Sequence, residues 1–381
     1  MKSLSASHSF ITQPAFLLCL FSAGCYLSPS INISKLFIIA IAGAFVLAPN
    51  PQKNIPLTKQ HMILMLFLGF TAVSASWGDF TKISYPLKSA ILTLLFVFFI
   101  CRHRENINKN IDTIFTTTYI SAGFLSIILL FIYFNQYGID FNTRIDRLYG
   151  PIIQTIKTAS ILSLALIIMI WNITLKSGWH RVMSLCLLVP TSMAILLLKS
   201  RGATLSIGAG LATLYFARNL KAKNILIPLG KSLSLLLAFA GIGLWFFLNY
   251  DDRELSDSFR FVIWQSSVYQ TYDKNIIAGI GYIKDQSITA LNGQVYDHSH
   301  NLFVSLLRIT GLVGLILFCT YIFQSLKYFF SRYSNTDEQA LISAWLAMSF
   351  TTLFFNGSYP VYFKPDIFIL LWMPVALLWI F

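Results

Sequence analysis

Residues 249–301 read NYDDRELSDSFRFVIWQSSVYQTYDKNIIAGIGYIKDQSITALNGQVYDHSHN, the longest polar interruption in an otherwise apolar chain. The stretch opens on a charge cluster, carries Arg260 in its first third, and closes on His298, Ser299, His300 and Asn301. On both sides, apolar runs of membrane-crossing length alternate with short polar turns; about 20 mainly apolar residues are needed to cross the hydrocarbon core. The runs therefore read as a scaffold in a bilayer. The long polar stretch, lying on one membrane face, reads as the segment that does the chemistry.

Composition supports the membrane reading. The chain is 56% hydrophobic and 11% charged, with a mean hydropathy of +0.67. A soluble domain carries about a quarter charged residues, and a soluble fold could not cover this much apolar surface. The net charge of +13 has its explanation in Lys and Arg gathering in cytoplasmic loops, so it does not call for a nucleic-acid partner. The five cysteines (Cys19, Cys25, Cys101, Cys186 and Cys319) all fall in or beside apolar runs without a CxxC pair. They read as small apolar residues rather than disulfides or zinc ligands. The first apolar run, Pro14 to Leu27, reads as a first span and not a cleaved signal.

These rules predict an all-α polytopic protein with about twelve transmembrane helices. They lie near 11–29, 32–49, 60–77, 84–101, 112–134, 157–175, 179–198, 203–218, 224–248, 310–330, 338–357 and 364–381. The organisation is then a bundle over 1–248, a large loop over 249–309 between helices nine and ten, and a second bundle over 310–381. Of the alternate connections, one set holds Lys2, Lys53, Lys59, Arg102, Arg104, Lys109, Lys176, Arg181, Arg218, Lys221, Lys223, Lys327 and Arg332. That richer set should face the cytoplasm. The opposite connections hold Lys35, Lys82, Lys88, Arg144, Arg147, Lys157, Lys199, Arg201 and Lys364, and they share their face with the 249–301 loop.

Several arginines thus oppose the positive-inside trend: Arg144 and Arg147, Arg201 in the turn Lys199-Ser200-Arg201-Gly202, and Arg253 with Arg260. Guanidinium groups bind phosphate in a bidentate way that lysine matches poorly. Arginines around a histidine on one membrane face point to a lipid phosphate or pyrophosphate. Each residue also has an ordinary reading. Arg260, in the amphipathic piece Phe259 to Trp264, can simply anchor at the interface; Arg201 can mark a helix end; Arg147 can pair with Asp146. Gly202 would let backbone approach a ligand.

His300 precedes the apolar run 302–307, so it sits at a helix start with Asn301 available as the cap. A positive helix end would hold its imidazole neutral and fit to accept a proton. The alternative is an interfacial histidine with a packing role. His298 is two residues earlier, and in an extended segment both rings would point the same way. The nearby carboxylates Asp285 and Asp297 have no metal-ligand spacing, so no metal is expected. Lys231 in the ninth span reads as a snorkelling side chain. No GxGxxG, P-loop, HExxH or GxSxG pattern occurs.

Taken together, these segments resemble the O-antigen ligases and, more broadly, the O-antigen polymerase/ligase superfamily. The resemblance runs through Ser200-Arg201-Gly202, Arg260 to Trp264, Gly279-Ile280-Gly281-Tyr282, and His300-Asn301 followed by Gly311 to Leu315. It covers roughly residues 195–320 by motif. It implies a GT-C-like, inverting glycosyltransferase that needs no metal or other cofactor and works at the periplasmic face of the bacterial inner membrane. Such an enzyme moves O-antigen glycan from undecaprenyl pyrophosphate to a sugar hydroxyl of lipid A–core. Carried onto this chain, His300 is the general base, while Arg201 and Arg260 hold the pyrophosphate. His298, Arg147 and Asn301 are further substrate-contact candidates. His298 is an addition to the family's pattern. The shortness of the 135–156 connection favours ligase over polymerase. A lipid-linked oligosaccharide flippase is the competing class, but a transporter should carry charges at mid-membrane, and here nearly all lie in connections.

Overall fold

The computed structural model describes residues 14–28, 30–47, 58–139, 143–145, 154–219, 260–283, 287–290, 293–334 and 336–381, with single positions 231, 233, 234 and 237. Its helices are α1 (Pro14–Leu27), α2 (Ile31–Leu47), α3 (Lys59–Val73), α4 (Ser84–Arg102), the short α5 (Arg104–Lys109) and α6 (Ile111–Tyr137). They continue with α7 (Thr155–Leu175), α8 (Trp179–Leu197), α9 (Arg201–Arg218), α10 (Arg260–Asn275), α11 (Leu302–Ser331) and α12 (Asp337–Asn356). Each expected span has a helix in its place except 224–248, which lies outside the described residues apart from four helical positions including Lys231. Among the described residues, 84–102, 111–137, 155–175, 179–197 and 302–331 are long and apolar enough to cross a membrane. The protein is an all-α membrane protein in architecture.

The chain ends in an element buried on every side: Pro365–Ile367, a π-helical turn at Phe368–Trp372, and Met373–Leu377. It is apolar all round, as a central helix must be. Trp372 Nε1 donates to the Pro360 carbonyl (3.0 Å), and Trp345 Nε1 on α12 donates to the Ile369 carbonyl of this element (3.2 Å). α9 packs along α12, α3 along α11, and α7 and α8 along each other.

Within this helical architecture a short two-stranded antiparallel ribbon, β1 (Ile288–Thr289) with β2 (Val295–Tyr296), stands between α10 and α11. The tenth expected span begins at Leu302, not near 310, because Asn301 caps it: its Oδ1 accepts from the Phe303 and Val304 amides at 2.8 and 3.1 Å. What hydropathy picked up near 310 is a break inside that helix. Gly311 has φ 61 and ψ −164, a region essentially reserved for glycine.

The break is closed by chain from elsewhere. Leu312 and Val313 donate their amides to the carbonyls of Ile276 and Ile277 (2.9 and 3.2 Å). Ile280 and Gly281 donate to the carbonyls of Arg308 and Ile309 (2.8 and 3.0 Å). Buried backbone groups freed by a helix break must find partners, and the segment 276–281 supplies them. The backbones approach so closely that a Cβ on Gly279 would lie 2.5 Å from the Gly311 nitrogen. One on Gly311 would lie 2.2 Å from the Ile277 oxygen. Further along, Tyr282 donates to the Ser74 carbonyl and accepts from the Asp79 amide, tying the same segment to the end of α3.

Gly311→Ala is therefore expected to lower the thermal stability of the detergent-solubilised protein by at least ~2 kcal/mol. Gly43→Ala, where an added Cβ meets nothing within 4 Å, should leave the melting temperature within a degree or two (~0.5 kcal/mol). Equal melting of both variants would show that the break does not depend on glycine.

Candidate functional site

The residues that oppose the positive-inside trend come together. A cavity of about 240 Å³ is lined by Arg144, Lys199, Arg201 and Arg260, together with His300 and Tyr296. Ser200, Gly202, Ile156 and Ile263 complete its wall. Four segments separated in sequence, 144–156, 199–202, 260–263 and 296–300, thus line one cavity. Arg147 and Arg253 lie outside the described residues.

The cations are positioned by different elements. Arg201 is the first residue of α9, with Ser200 as its cap, the hydroxyl accepting from the Ala203 amide at 3.4 Å. First-turn amides that no helix carbonyl can reach border the cavity there. A cation at a helix N-terminus stands against the helix dipole, whereas an anion is favoured. Arg144 Nε donates to the Leu198 carbonyl (3.0 Å) and the neighbouring Ile145 amide to the Leu197 carbonyl (3.1 Å), docking this strip on the end of α8. Arg260 Nη2 donates to Asn356 Oδ1 at 2.8 Å.

Asn356 also packs against Gly202, which lines the cavity: a Cβ there would meet the Asn356 Nδ2 at 2.5 Å. The sequence offered no signal for Asn356: it ends α12 in the run Leu353-Phe354-Phe355-Asn356, outside every motif.

Lys199 and His300 are the only non-glycine residues with positive φ among those described, at 46° and 53°. Both line the cavity. Such conformations cost of order 1–3 kcal/mol and persist where surrounding contacts enforce them. At His300 the enforcement is visible. Ser299 is buried, donates to the Asn301 carbonyl at 3.0 Å and shares a 2.6 Å hydrogen bond with Ser305, while Asn301 caps α11. Asn301 is 2% exposed with its oxygen committed to two amides. It is not among the residues lining the cavity, and it caps α11 directly after His300.

The two imidazoles lie side by side, ring centroids 4.0 Å apart and 37° between planes. Burial, then the Arg260 guanidinium, holds the pKa of His300 below its ordinary value, with Asp297 pulling the other way and Lys157 adding to the depression. His298 is pushed down to about 3 by burial, its neighbour His300, Lys157 and Lys364. Both rings are thus neutral near pH 7. Burial and nearby cations lead this effect, rather than the helix end that the sequence suggested.

Tyr296 arrives through the ribbon, which is held at Thr289 by Gln270 Nε2 (2.8 Å) and at Ser287 by Arg308 Nη2 (2.9 Å). Arg308 is 5% exposed on the first part of α11. The pattern of apolar residues around it gave no reason to single it out. Among the described residues, no three His, Cys, Asp or Glu side chains come together as a metal-binding group.

Residues 185–319 match the family model Wzy_C, described as O-antigen ligase. The match takes in Lys199, Arg201, Arg260, Tyr296, His298 and His300, and leaves out Arg144 and Asn356. No curated protein matches the chain.

Because Arg260 depresses His300, removing that charge should raise the histidine. In Arg260→Gln, the pH at which diethyl pyrocarbonate modifies His300 at half its maximal rate, followed by peptide mass spectrometry, is expected to move upward. An unchanged or lower midpoint would mean that the guanidinium does not face the ring.

Proposed function

We propose, from the match of residues 185–319 to the O-antigen ligase family model, that this chain is an O-antigen ligase. The enzyme transfers O-antigen glycan from undecaprenyl pyrophosphate to a sugar hydroxyl of lipid A–core, as a GT-C-like protein of the bacterial inner membrane with its cavity open to the periplasm. The observation that carries the reading is one cavity in which Arg144, Lys199, Arg201 and Arg260 surround a neutral, conformationally strained His300.

The chemistry follows from those groups. The donor's pyrophosphate lies against the guanidinium groups of Arg201 and Arg260 and the first amides of α9, where charge-assisted hydrogen bonds are strongest. The acceptor hydroxyl attacks the anomeric carbon from the side opposite the pyrophosphate. Its proton passes to a ring nitrogen of His300, the new glycosidic C–O bond forms, and the bond to pyrophosphate oxygen breaks with its electron pair. The configuration at that carbon inverts. Charge growing on the leaving oxygen is met by donors already in position, an effect of several kcal/mol in a partly dry site. An imidazole acting on the hydroxyl contributes typically 10²–10⁴ in rate. The donor is already activated as a pyrophosphate ester, so this reading requires neither nucleotide nor metal. His298 lies against His300 and meets the acceptor side; Arg147 is a further candidate contact for the donor.

In a deletion strain carrying His300→Ala at normal membrane levels, the O-antigen ladder on lipopolysaccharide gels is expected to vanish, with lipid-linked polymer accumulating. An intact ladder removes His300 from the chemistry. Core capped by a single repeat unit would instead assign the chain to the polymerases of the same superfamily. Transfer by purified protein in detergent, without a sealed membrane, separates this enzyme from a flippase. Arg201→Ala and Arg260→Ala should each lower kcat by roughly 10²–10³. The acidic limb of kcat/KM for the wild type should fall below the ordinary histidine value of ~6.5. A lowered pKa keeps the base unprotonated down to that limb, and activity is lost as pH falls through it.

A further inference from the structure

A second concentration of positive charge lies near the cavity and takes no part in the transfer just described. Lys35, in the second turn of α2, and Lys88, in the second turn of α4, converge on one ring: their ammonium nitrogens stand 5.7 and 5.3 Å from the centroid of Phe363. The next residue, Lys364, lies 4.8 Å over the ring of Tyr362. Three cations from three separate parts of the chain are thus gathered around two adjacent aromatic side chains.

Asp366 is the neighbouring carboxylate, and it is bound to Lys157 at 2.9 Å, with side chains 7% and 12% exposed. Among the described residues, no ion pair reaches Lys35, Lys88 or Lys364. Lys364 feels the crowding: burial, then Lys157, lower its pKa, Asp366 opposes them, and Lys35 lowers it further. A cation–π contact contributes only about 0.5–1 kcal/mol at an exposed site, and the early turns of α2 and α4 are the ends where a helix dipole disfavours cations. Elsewhere the chain does pair its charges, as Lys176 with Asp112 (2.8 Å) and Arg218 with Asp337 (3.2 Å).

The surroundings say where an anion would come from. Beside Lys35 on α2, Leu36 and Ile39 are exposed, and beside Lys88 on α4, Leu87 and Ile91 are exposed as well. The two helices pack together, so the lysines stand over an apolar outer wall suited to acyl chains. An anion that arrives with its own hydrocarbon fits both features; a free ion fits only the first. Lysine is also the point-charge partner of a compact phosphate with two negative charges.

We propose that Lys35, Lys88 and Lys364 form a binding site for a membrane lipid with a phosphomonoester headgroup, distinct from the Arg201–Arg260 cavity. The site stands whether or not the cavity performs glycan transfer. Lys157 and Lys364 connect the two regions, since both act on His298 at the cavity's edge.

The full chain in detergent, titrated with dioctanoyl phosphatidic acid by thermophoresis, should show saturable binding. Dioctanoyl phosphatidylglycerol and inorganic phosphate should each bind at least tenfold more weakly. The triple variant Lys35→Gln, Lys88→Gln, Lys364→Gln should lose at least tenfold in affinity for phosphatidic acid, whereas Arg201→Gln should keep it. The charge-preserving Lys35→Arg, Lys88→Arg pair should retain binding, which separates loss of charge from loss of fold. Should the triple variant fail to fold, the exposed Lys88→Gln alone should still weaken binding severalfold. Equal binding of inorganic phosphate would overturn the lipid assignment, and equal binding of phosphatidylglycerol would overturn the phosphomonoester. Unchanged affinity in the lysine variants, or a matching loss in Arg201→Gln, would overturn the site itself.

Discussion

The interrupted helix at Gly311 is the constraint on which the site depends. A helix crossing hydrocarbon cannot leave backbone amides and carbonyls unpaired. Here the carbonyls of Arg308 and Ile309, and the amides of Leu312 and Val313, are paired only because residues 276–281 enter the gap. That segment directly follows α10, whose first described residue is Arg260. The short helix before the break begins at Leu302, immediately after His300 and Asn301. One set of backbone hydrogen bonds therefore ties the element that carries Arg260 to the element that carries His300. Glycines at 279 and 311 are required because the two chains meet with no room for a Cβ.

Around that anchor the protein gathers positive charge. Arg201 opens α9, where the exposed amides and the helix dipole already favour an anion. Arg144, Lys199 and Arg260 share the cavity. Beyond His298, Lys157, Lys364, Lys35 and Lys88 extend the cationic region over an apolar outer wall. The histidines survive in this environment as neutral bases because burial and the neighbouring cations both disfavour a proton on them. The cations gathered here are thus also ones that keep the imidazoles unprotonated.

Much of the helical framework was legible because it follows from local composition. Apolar runs of membrane-crossing length mark their helices wherever they occur, and the boundaries drawn at 84–101, 157–175 and 179–198 fall within a few residues of α4, α7 and α8. The departures occurred where a polar contact overrode hydropathy. The helix start at Asn301, which the apolar run 302–307 marks, lies ahead of the span drawn from 310, and the ribbon at 288–296 is too short to leave a periodic trace. Arg201, Arg260 and His300 stood out because arginines on the wrong side of a charge asymmetry, beside a histidine before an apolar run, are unusual in sequence. Asn356 and Arg308 did not, since each is a polar residue whose partner lies far along the chain or on a ribbon without its own signal.

By itself, the sequence determined that this is a helical membrane protein, which segments form its helices, and which cations stand against the expected charge bias, because hydropathy and charge are summed residue by residue. Only the tertiary structure decided that those cations meet around one histidine and that a second group of lysines shares a single phenylalanine. It also decided that the helix before the site is broken and repaired by another segment. Those outcomes depend on backbone groups and side chains finding partners across tens to hundreds of residues, and such pairings leave no mark on local composition.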